Sequence, residues 1–241
     1  MSLNSTYIKG NLAYIKGNGG HLKRIHDAFG PDVVKYIDDF TSLPVDDTTG
    51  DPTAYTTTVV EGGSGNTTVA LGSESGGVLV ITTDNAENDG ANLQLNGAPF
   101  ELTSDQAFYF GTKLKINDAD QTDVFVGLAV TDTDILGGVT DRIGFQSVDG
   151  EAALDFVIEK DSTETKIDDV GTLVDDTYSY LEFYWDGTGL EVFVDGVSVS
   201  NPAITNLPND VALRFSLHFL TGETTANTCT VDFIRCIQIG R

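Results

Sequence analysis

Alternation of apolar and polar side chains constrains this chain more than any other feature. In residues 213–219 apolar and polar side chains alternate. The apolar residues are Leu213, Phe215, Leu217 and Phe219, and the polar residues are Arg214, Ser216 and His218. Successive side chains on a β-strand point to opposite faces, so the pattern predicts a strand with one buried and one polar face. His218 is predicted to project from the polar face.

A second alternating segment predicts a hairpin. In Tyr178–Trp185 every other residue is apolar, and Trp185, the only tryptophan, falls on the apolar face. Tyr184 falls on the other face and is predicted to be exposed. The letters DGTG then supply a tight turn into Leu190–Val194.

Further strands are predicted at short intervals. They are Val33–Phe40, Gly77–Thr82, Ala91–Leu95, Ala107–Leu114, Asp123–Val130, Arg142–Ser147, Leu154–Glu159, Ala212–Phe219 and Thr228–Ile239. Gly, Asn and Asp separate them, as is typical of a β-sandwich. Residues 41–75 are rich in Thr, Asp and Gly and are predicted to form a long loop with an edge strand. We therefore predict one all-β sandwich over residues 33–241.

The first 32 residues differ from the rest. Tyr7–Asn11 and Tyr14–Asn18 both read YIKGN, and glycines stop either copy from extending into a long helix. A short amphipathic helix is predicted at His21–Phe29. Two interpretations stay open, a flexible leader and a mostly irregular arm that binds a partner. The contacts predicted for such an arm are Tyr7, Ile8, Lys9, Tyr14, Ile15, Lys16, Lys23 and Arg24.

Charge and cysteine content exclude several functions. The net charge is −24, although residues 1–35 hold five basic and two acidic side chains. An acidic body repels phosphates, so we expect no nucleic-acid partner. No apolar run reaches the length of about 18 residues that a membrane span needs, and residues 1–9 lack the apolar run of a secretory signal. Cys229 and Cys236 are predicted to lie on opposite faces of one strand as free, buried thiols.

Three segments resemble concanavalin-like and laminin-G jelly rolls. LEFYWDGTGLEVFVDGVSV (Leu181–Val199) is similar to a strand–turn–strand segment of that fold, and VDFIRCIQI (Val231–Ile239) is similar to the closing strand of laminarinase-type members. Asp38-Asp39-Phe40 is similar to the opening strand that pairs with it. The resemblance implies a concanavalin-like jelly-roll β-sandwich.

A narrower resemblance is to a group of tailed-phage structural proteins. It rests on Asn88–Leu102, Phe125–Phe145 and Leu154–Thr165. It implies a virion protein on the outer capsid surface, a decoration or cement protein. The basic arm would then bind the major capsid protein, neighbouring copies would touch one another, and a homo-oligomer stays open. On this hypothesis the protein is not an enzyme and needs no cofactor.

Two alternatives are retained. The first is a glycan-binding module that uses an exposed aromatic such as Tyr184. The second is a glycosidase, because Glu159, Asp161 and Glu164 match the E-x-D-x-x-E spacing of laminarinase-type enzymes. Lys160, Ser162 and Thr163 are polar where those enzymes have apolar residues, so we interpret the segment as a hairpin turn with solvated charges.

Acidic loops leave a structural calcium ion open without assigned ligands. One loop holds Asn117, Asp118, Asp120 and Asp123, and the other holds Asp132, Asp134 and Asp141. Counted from Asp118, an EF-hand would need Gly and Glu where the chain has Asp123 and Ala129.

Overall fold

A computed structural model describes residues 6–9, 12–15, 24–63 and 65–240. Within these ranges the chain forms eighteen strands: β1 (Thr6–Lys9), β2 (Leu12–Ile15), β3 (Ile25–Ala28), β4 (Val33–Asp38), β5 (Tyr55–Val60), β6 (Thr68–Leu71), β7 (Leu79–Thr82), β8 (Gly90–Leu95), β9 (Ala107–Ile116), β10 (Thr122–Ala129), β11 (Arg142–Ser147), β12 (Ala153–Lys160), β13 (Thr163–Thr172), β14 (Ser179–Trp185), β15 (Leu190–Val194), β16 (Val197–Ser200), β17 (Arg214–Thr221) and β18 (Thr228–Ile239). The same ranges hold no helix that could cross a membrane. The all-β prediction is confirmed.

Two large antiparallel sheets make up the body. The seven-stranded sheet has the order β13-β12-β11-β10-β17-β8-β5. The eight-stranded sheet has the order β16-β15-β14-β9-β18-β7-β6, and β4 also pairs with β18. Ile234 of β18 lies opposite Asp38, so the predicted pairing of the opening and closing strands is confirmed.

The core lies between the two sheets and is aromatic. The ring centroids of Phe110 and Phe183 are 5.0 Å apart, and those of Phe145 and Phe156 are also 5.0 Å apart. Trp185 is buried, as predicted, and its indole N–H donates to the carbonyl oxygen of Thr103 at 2.9 Å. The indole donor is thus satisfied without leaving the core.

A third sheet, β1-β2-β3, covers part of the outer face of the eight-stranded sheet. Ile25 and Ala28 pack there against Tyr109 and Ile237. The helix predicted at His21–Phe29 is wrong, because residues 25–28 form β3 and pair with β2; residues 21–23 lie outside the described ranges. So short a helix is marginal in water, whereas β2 offers a ready backbone partner.

The two cysteine side chains lie on the same face of β18, whereas opposite faces were predicted. Both thiols are free and buried, as expected. Both belong to the central core, however, because an irregularity between Val231 and Phe233 shifts the register of β18 on β9. One extra residue reverses the side-chain phase, so an odd separation places both on one face.

Candidate functional site

The E-x-D-x-x-E spacing does not lie on one strand. Glu159 is in β12 and Glu164 in β13, directly opposite each other, while Asp161 occupies the turn between them with φ of 50°. The predicted hairpin turn is confirmed, but the prediction of solvated charges is wrong for Glu159, which is buried. The turn nevertheless brings two carboxylates face to face, at the Cβ separation of about 5 Å that directly paired residues have.

Arg142 of β11 neutralises this carboxylate pair. Its Nε donates to Glu159 Oε2 and its Nη2 donates to Glu164 Oε2, both at 2.7 Å. Its Nη1 donates to the carbonyl oxygen of Ile135 at 3.0 Å. A retaining glycosidase needs one free carboxylate to attack and one to donate a proton. Both are engaged with one guanidinium here, so we assign the pair a structural role.

A different set of residues crosses the outer face of the seven-stranded sheet in register. This set, named here the His218 row, consists of Asp155, Gln146, Phe125, His218, Asn92 and Thr58 on successive strands from β12 to β5. Their sequence neighbours Val124, Phe145 and Leu217 point into the core. Alternation therefore places every member of the row on the outer face.

Several polar atoms of the His218 row have no hydrogen-bond partner among the described residues. They are Nδ1 and Nε2 of His218, Oδ1 of Asn92 and Oε1 of Gln146. His218 and Asn92 are each 1% exposed. A buried polar group left unpaired costs about 1–3 kcal/mol, so such atoms mark a place where a ligand or water belongs.

Burial lowers the pKa of His218 to about 4, and Arg142 adds to the effect, while Asp134 and Asp132 oppose it. The imidazole is consequently neutral at neutral pH. One ring nitrogen can then donate a hydrogen bond and the other can accept one.

The 130–141 loop, which joins β10 to β11, covers much of this face. Asn92 Nδ2 donates to the carbonyl oxygen of Asp132 at 2.7 Å, and Gln94 pairs with the backbone of Val130 and Asp132. A small cluster of buried apolar side chains anchors the loop: Ile135 and Val139 from the loop, and Phe125, Ala129 and Val157 from the sheet.

Two facing glycines make room for these contacts. Gly127 and Gly144 lie opposite each other, and a Cβ on Gly127 would lie 2.2 Å from the carbonyl oxygen of Ile143. A Cβ on Gly144 would lie 3.0 Å from Cζ of Phe125, so the Phe125 ring lies over Gly144. In the register of the sheet, Phe125 lies between Gln146 and His218.

Two further carboxylates lie on this face in contrasting environments. Asp155 accepts a hydrogen bond from Lys166 Nζ at 2.8 Å and one from the backbone N–H of Asp169 at 2.9 Å. Asp123 is partly buried on β10, and burial raises its pKa despite a hydrogen bond from the backbone N–H of Asp149. Asp155 is thus paired with a lysine and a backbone N–H, whereas Asp123 holds its proton more readily than usual.

The residues predicted for the arm that the structure describes belong to or adjoin the N-terminal sheet. Tyr7, Ile8 and Lys9 are in β1, and Tyr14 and Ile15 are in β2, while Lys16 and Lys23 lie outside the described residues. Arg24 is buried against Glu182. A partner-binding role for these residues stays a prediction. Tyr184 was predicted to be exposed, but it is half-buried because the N-terminal sheet packs against it.

The acidic loops use their side chains within the fold. Asn117 accepts the backbone N–H of Thr228, and Asp132 and Asp134 accept the N–H groups of Asp134 and Gly137. Burial and a hydrogen bond with Asp120 raise the pKa of Asp118 to about 6. Over the described residues no three His, Cys, Asp or Glu side chains converge as metal ligands. A structural calcium ion stays a prediction.

No protein-family model matches this sequence, and no curated protein matches it. Solved structures do match in fold. An endo-1,3-beta-glucanase from Streptomyces sioyaensis is 12% identical with a TM-score of 0.62, over 90% of this chain and 100% of that one. The catalytic domain of a laminarinase from Thermotoga petrophila RKU-1 is 13% identical with a TM-score of 0.59, over 86% and 97%. A protein of unknown function from Shewanella oneidensis MR-1 is 15% identical with a TM-score of 0.60, over 86% and 87%.

These likenesses confirm the concanavalin-like jelly roll and correct two predictions. The main hypothesis, a capsid decoration protein, is wrong: these structural neighbours are mostly glucanases and none of them indicates a capsid protein. The prediction that the protein is not an enzyme is overturned by the same finding. Sequence signals were misleading because segments of a jelly roll resemble one another across functions.

Proposed function

We propose that this protein binds a β-linked glucan on the outer face of the seven-stranded sheet. The observation that carries the proposal is the set of unpaired polar atoms on His218, Asn92 and Gln146, placed on both sides of the Phe125 ring. A sugar offers hydroxyl groups and an apolar ring face. The amide of Gln146, together with the neutral imidazole and aromatic ring that the 130–141 loop now covers, complements both, as in ligand sites that combine apolar walls with a few polar groups.

The ligand class is supported by the solved structures that share the fold. They include a Bacteroides ovatus enzyme in complex with a mixed-linkage glucan product, with a TM-score of 0.61 at 13% identity. The charge of the site also fits. A glucan is neutral, and the polar atoms left unpaired in the His218 row belong to neutral groups.

Binding is tested by calorimetric titration with β-1,3 and mixed-linkage gluco-oligosaccharides. Gln146→Leu keeps the size of the side chain and removes the unpaired acceptor, so we expect affinity to fall up to about tenfold, the worth of one hydrogen bond. Gln121→Leu changes a glutamine that bonds only the Asp120 carbonyl oxygen and is the matched control. Failure of the wild-type protein to bind either glucan at millimolar concentration contradicts the proposal.

Hydrolysis of the bound glucan is a second candidate function. Asp123, whose pKa burial raises, suits a general acid, and Asp155, held by Lys166, is the second carboxyl group that this face presents. The two residues flank β11, so their Cα atoms lie about 12 Å apart for ordinary strand spacing. Of the two known arrangements, this Cα separation is nearer to that of inverting enzymes, whose carboxyl groups are about 6.5–9.5 Å apart.

Hydrolysis is tested by release of reducing ends from laminarin and mixed-linkage glucan. Asp123→Asn and Asp155→Asn should each abolish turnover. Glu159→Gln should retain it, because Glu159 is engaged with Arg142. Turnover that is lost in Glu159→Gln and kept in both aspartate variants would instead place the chemistry at the β12–β13 hairpin.

A further inference from the structure

The 130–141 loop holds the central part of the His218 row by contacts that a ligand could replace. Asn92 and Gln94 bond to backbone atoms of Val130 and Asp132, which are uncharged donors and acceptors like sugar hydroxyls. Ile135 and Val139 are buried in one cluster with Phe125, the aromatic side chain on which a sugar ring would stack. The loop therefore presents to this face the two kinds of group that a sugar would present, polar backbone atoms and an apolar surface.

The loop does not satisfy every polar atom of the His218 row. Both ring nitrogens of His218 and Oδ1 of Asn92 stay unpaired with the loop in place, although both residues are almost wholly buried. A ligand that presents hydroxyl groups would satisfy these atoms as well as those that the loop now bonds. The closed arrangement thus satisfies fewer polar groups than a ligand-bound one would.

The ends of the loop fix where it can move. The backbone N–H of Val130 donates to the carbonyl oxygen of Asp141 at 3.0 Å, which closes the base of the loop next to β10 and β11. Between these ends, Gly138 faces open space on its Cβ side, with the nearest atom at 3.9 Å. Arg142 Nη1 also donates to the carbonyl oxygen of Ile135 at 3.0 Å, and the N–H of Ser162 donates to that of Thr140 at 2.8 Å, so lifting the loop breaks these bonds while the Val130–Asp141 base stays paired.

We infer that His218 and Asn92 form a second, gated sugar subsite beneath the 130–141 loop, which a glucan enters by displacing the loop. The inference rests on the proposed function, because it extends the same row. Short oligosaccharides would then bind beside the loop at Gln146, and longer ones would gain contacts as the loop lifts.

The test is Ile135→Ser, which removes the main apolar anchor of the loop. Val197→Ser is the control, since Val197 is exposed on β16 of the other sheet. Hydrogen exchange should rise in residues 130–141 of the first variant only. The His218 imidazole, followed by NMR, should titrate closer to the ordinary value of about 6.5 once it is uncovered.

The gated subsite is tested by measuring the affinity of each variant for gluco-oligosaccharides of increasing length. In Ile135→Ser a hexasaccharide should bind several-fold tighter than to the wild type, while a disaccharide binds equally to both proteins. His218→Ala in the same background should cancel the gain. An opened loop with no gain for the longer sugar overturns the gated subsite but leaves the proposed function standing. Absence of binding by every variant overturns both.

Discussion

Arg24 and Glu182 form a buried ion pair that joins the N-terminal sheet to the eight-stranded sheet. Nε of Arg24 lies 2.8 and 2.7 Å from the two carboxylate oxygens of Glu182, and the Tyr109 hydroxyl donates to the same carboxylate at 2.7 Å. Burial raises the pKa of Glu182, although the bonds from Arg24 and Tyr109 act to lower it. Removal of either partner leaves the other charge without compensation.

Glu182→Gln should therefore lower the free energy of unfolding by about 3–5 kcal/mol, the usual cost of breaking a buried pair. Urea denaturation measures it. Asp27→Asn is the control, because the Lys35–Asp27 pair is partly exposed at 2.6 Å and should contribute at most about 1 kcal/mol. Equal losses in the two variants would show that burial of the Arg24 pair adds nothing.

Acid should destabilise the protein partly through His218. Its folded pKa of about 4 lies below the ordinary value of 6.5, so the unfolded chain takes up a proton in that interval and the folded protein does not. The contribution of neutral His218 to the free energy of unfolding is fully present above its ordinary pKa of 6.5. It is lost as the pH falls toward 4, and the total loss is about 3 kcal/mol.

Unfolding free energies of the wild type and His218→Gln, from about pH 7.5 to about pH 4, check this sign. The wild type should lose about 3 kcal/mol more than the variant. Burial also lowers the pKa of His26, which acts in the same direction in both proteins and cancels in the difference. Parallel pH profiles would contradict a buried, neutral His218.

The contact between β10 and β11 should not tolerate a methyl group. Gly127→Ala places a Cβ 2.2 Å from the carbonyl oxygen of Ile143, so the strands must separate, at a cost of about 1–3 kcal/mol. Gly138→Ala meets only one atom, at 3.9 Å, and should stay within about 0.5 kcal/mol of the wild type. Thermal unfolding measures both, and the reverse order would contradict the close approach.

Cys229 and Cys236 should be inert in the folded protein. Burial raises the pKa of Cys229 to about 12, and it raises that of Cys236 as well. The thiolate is the reactive form, so a thiol reagent should modify neither residue until the protein unfolds. Mass spectrometry after labelling, with and without denaturant, counts the modified thiols. Rapid labelling of the native protein would show that β18 opens readily.

Local patterns predicted much of the sandwich. Arg142–Ser147, Leu190–Val194 and Thr228–Ile239 are strands with the predicted bounds, because alternation and turn residues define each of them locally. β13 was not predicted, since TETKIDDVGT is polar on both faces of a sheet edge. The β18 irregularity was not predicted either, because it depends on pairing with β9, which is distant in sequence.

The sequence also predicted only part of the candidate site. Alternation placed His218 on a polar face, and this was right. Its burial could not be predicted, because the 130–141 loop that covers it lies more than seventy residues earlier in the chain. The E-x-D-x-x-E spacing at Glu159 is a linear motif, whereas the His218 row takes its members from six strands and has no linear motif.

The place of β18 has a consequence for synthesis of the protein on the ribosome. This strand joins β9 on one side to β4 and β7 on the other. A nascent chain that ends before residue 228 has already made β4, β7 and β9, but it cannot yet unite them. Their unpaired edges invite association with other chains until the last strand emerges. A chaperone that shields strand edges would therefore act on this protein late in translation.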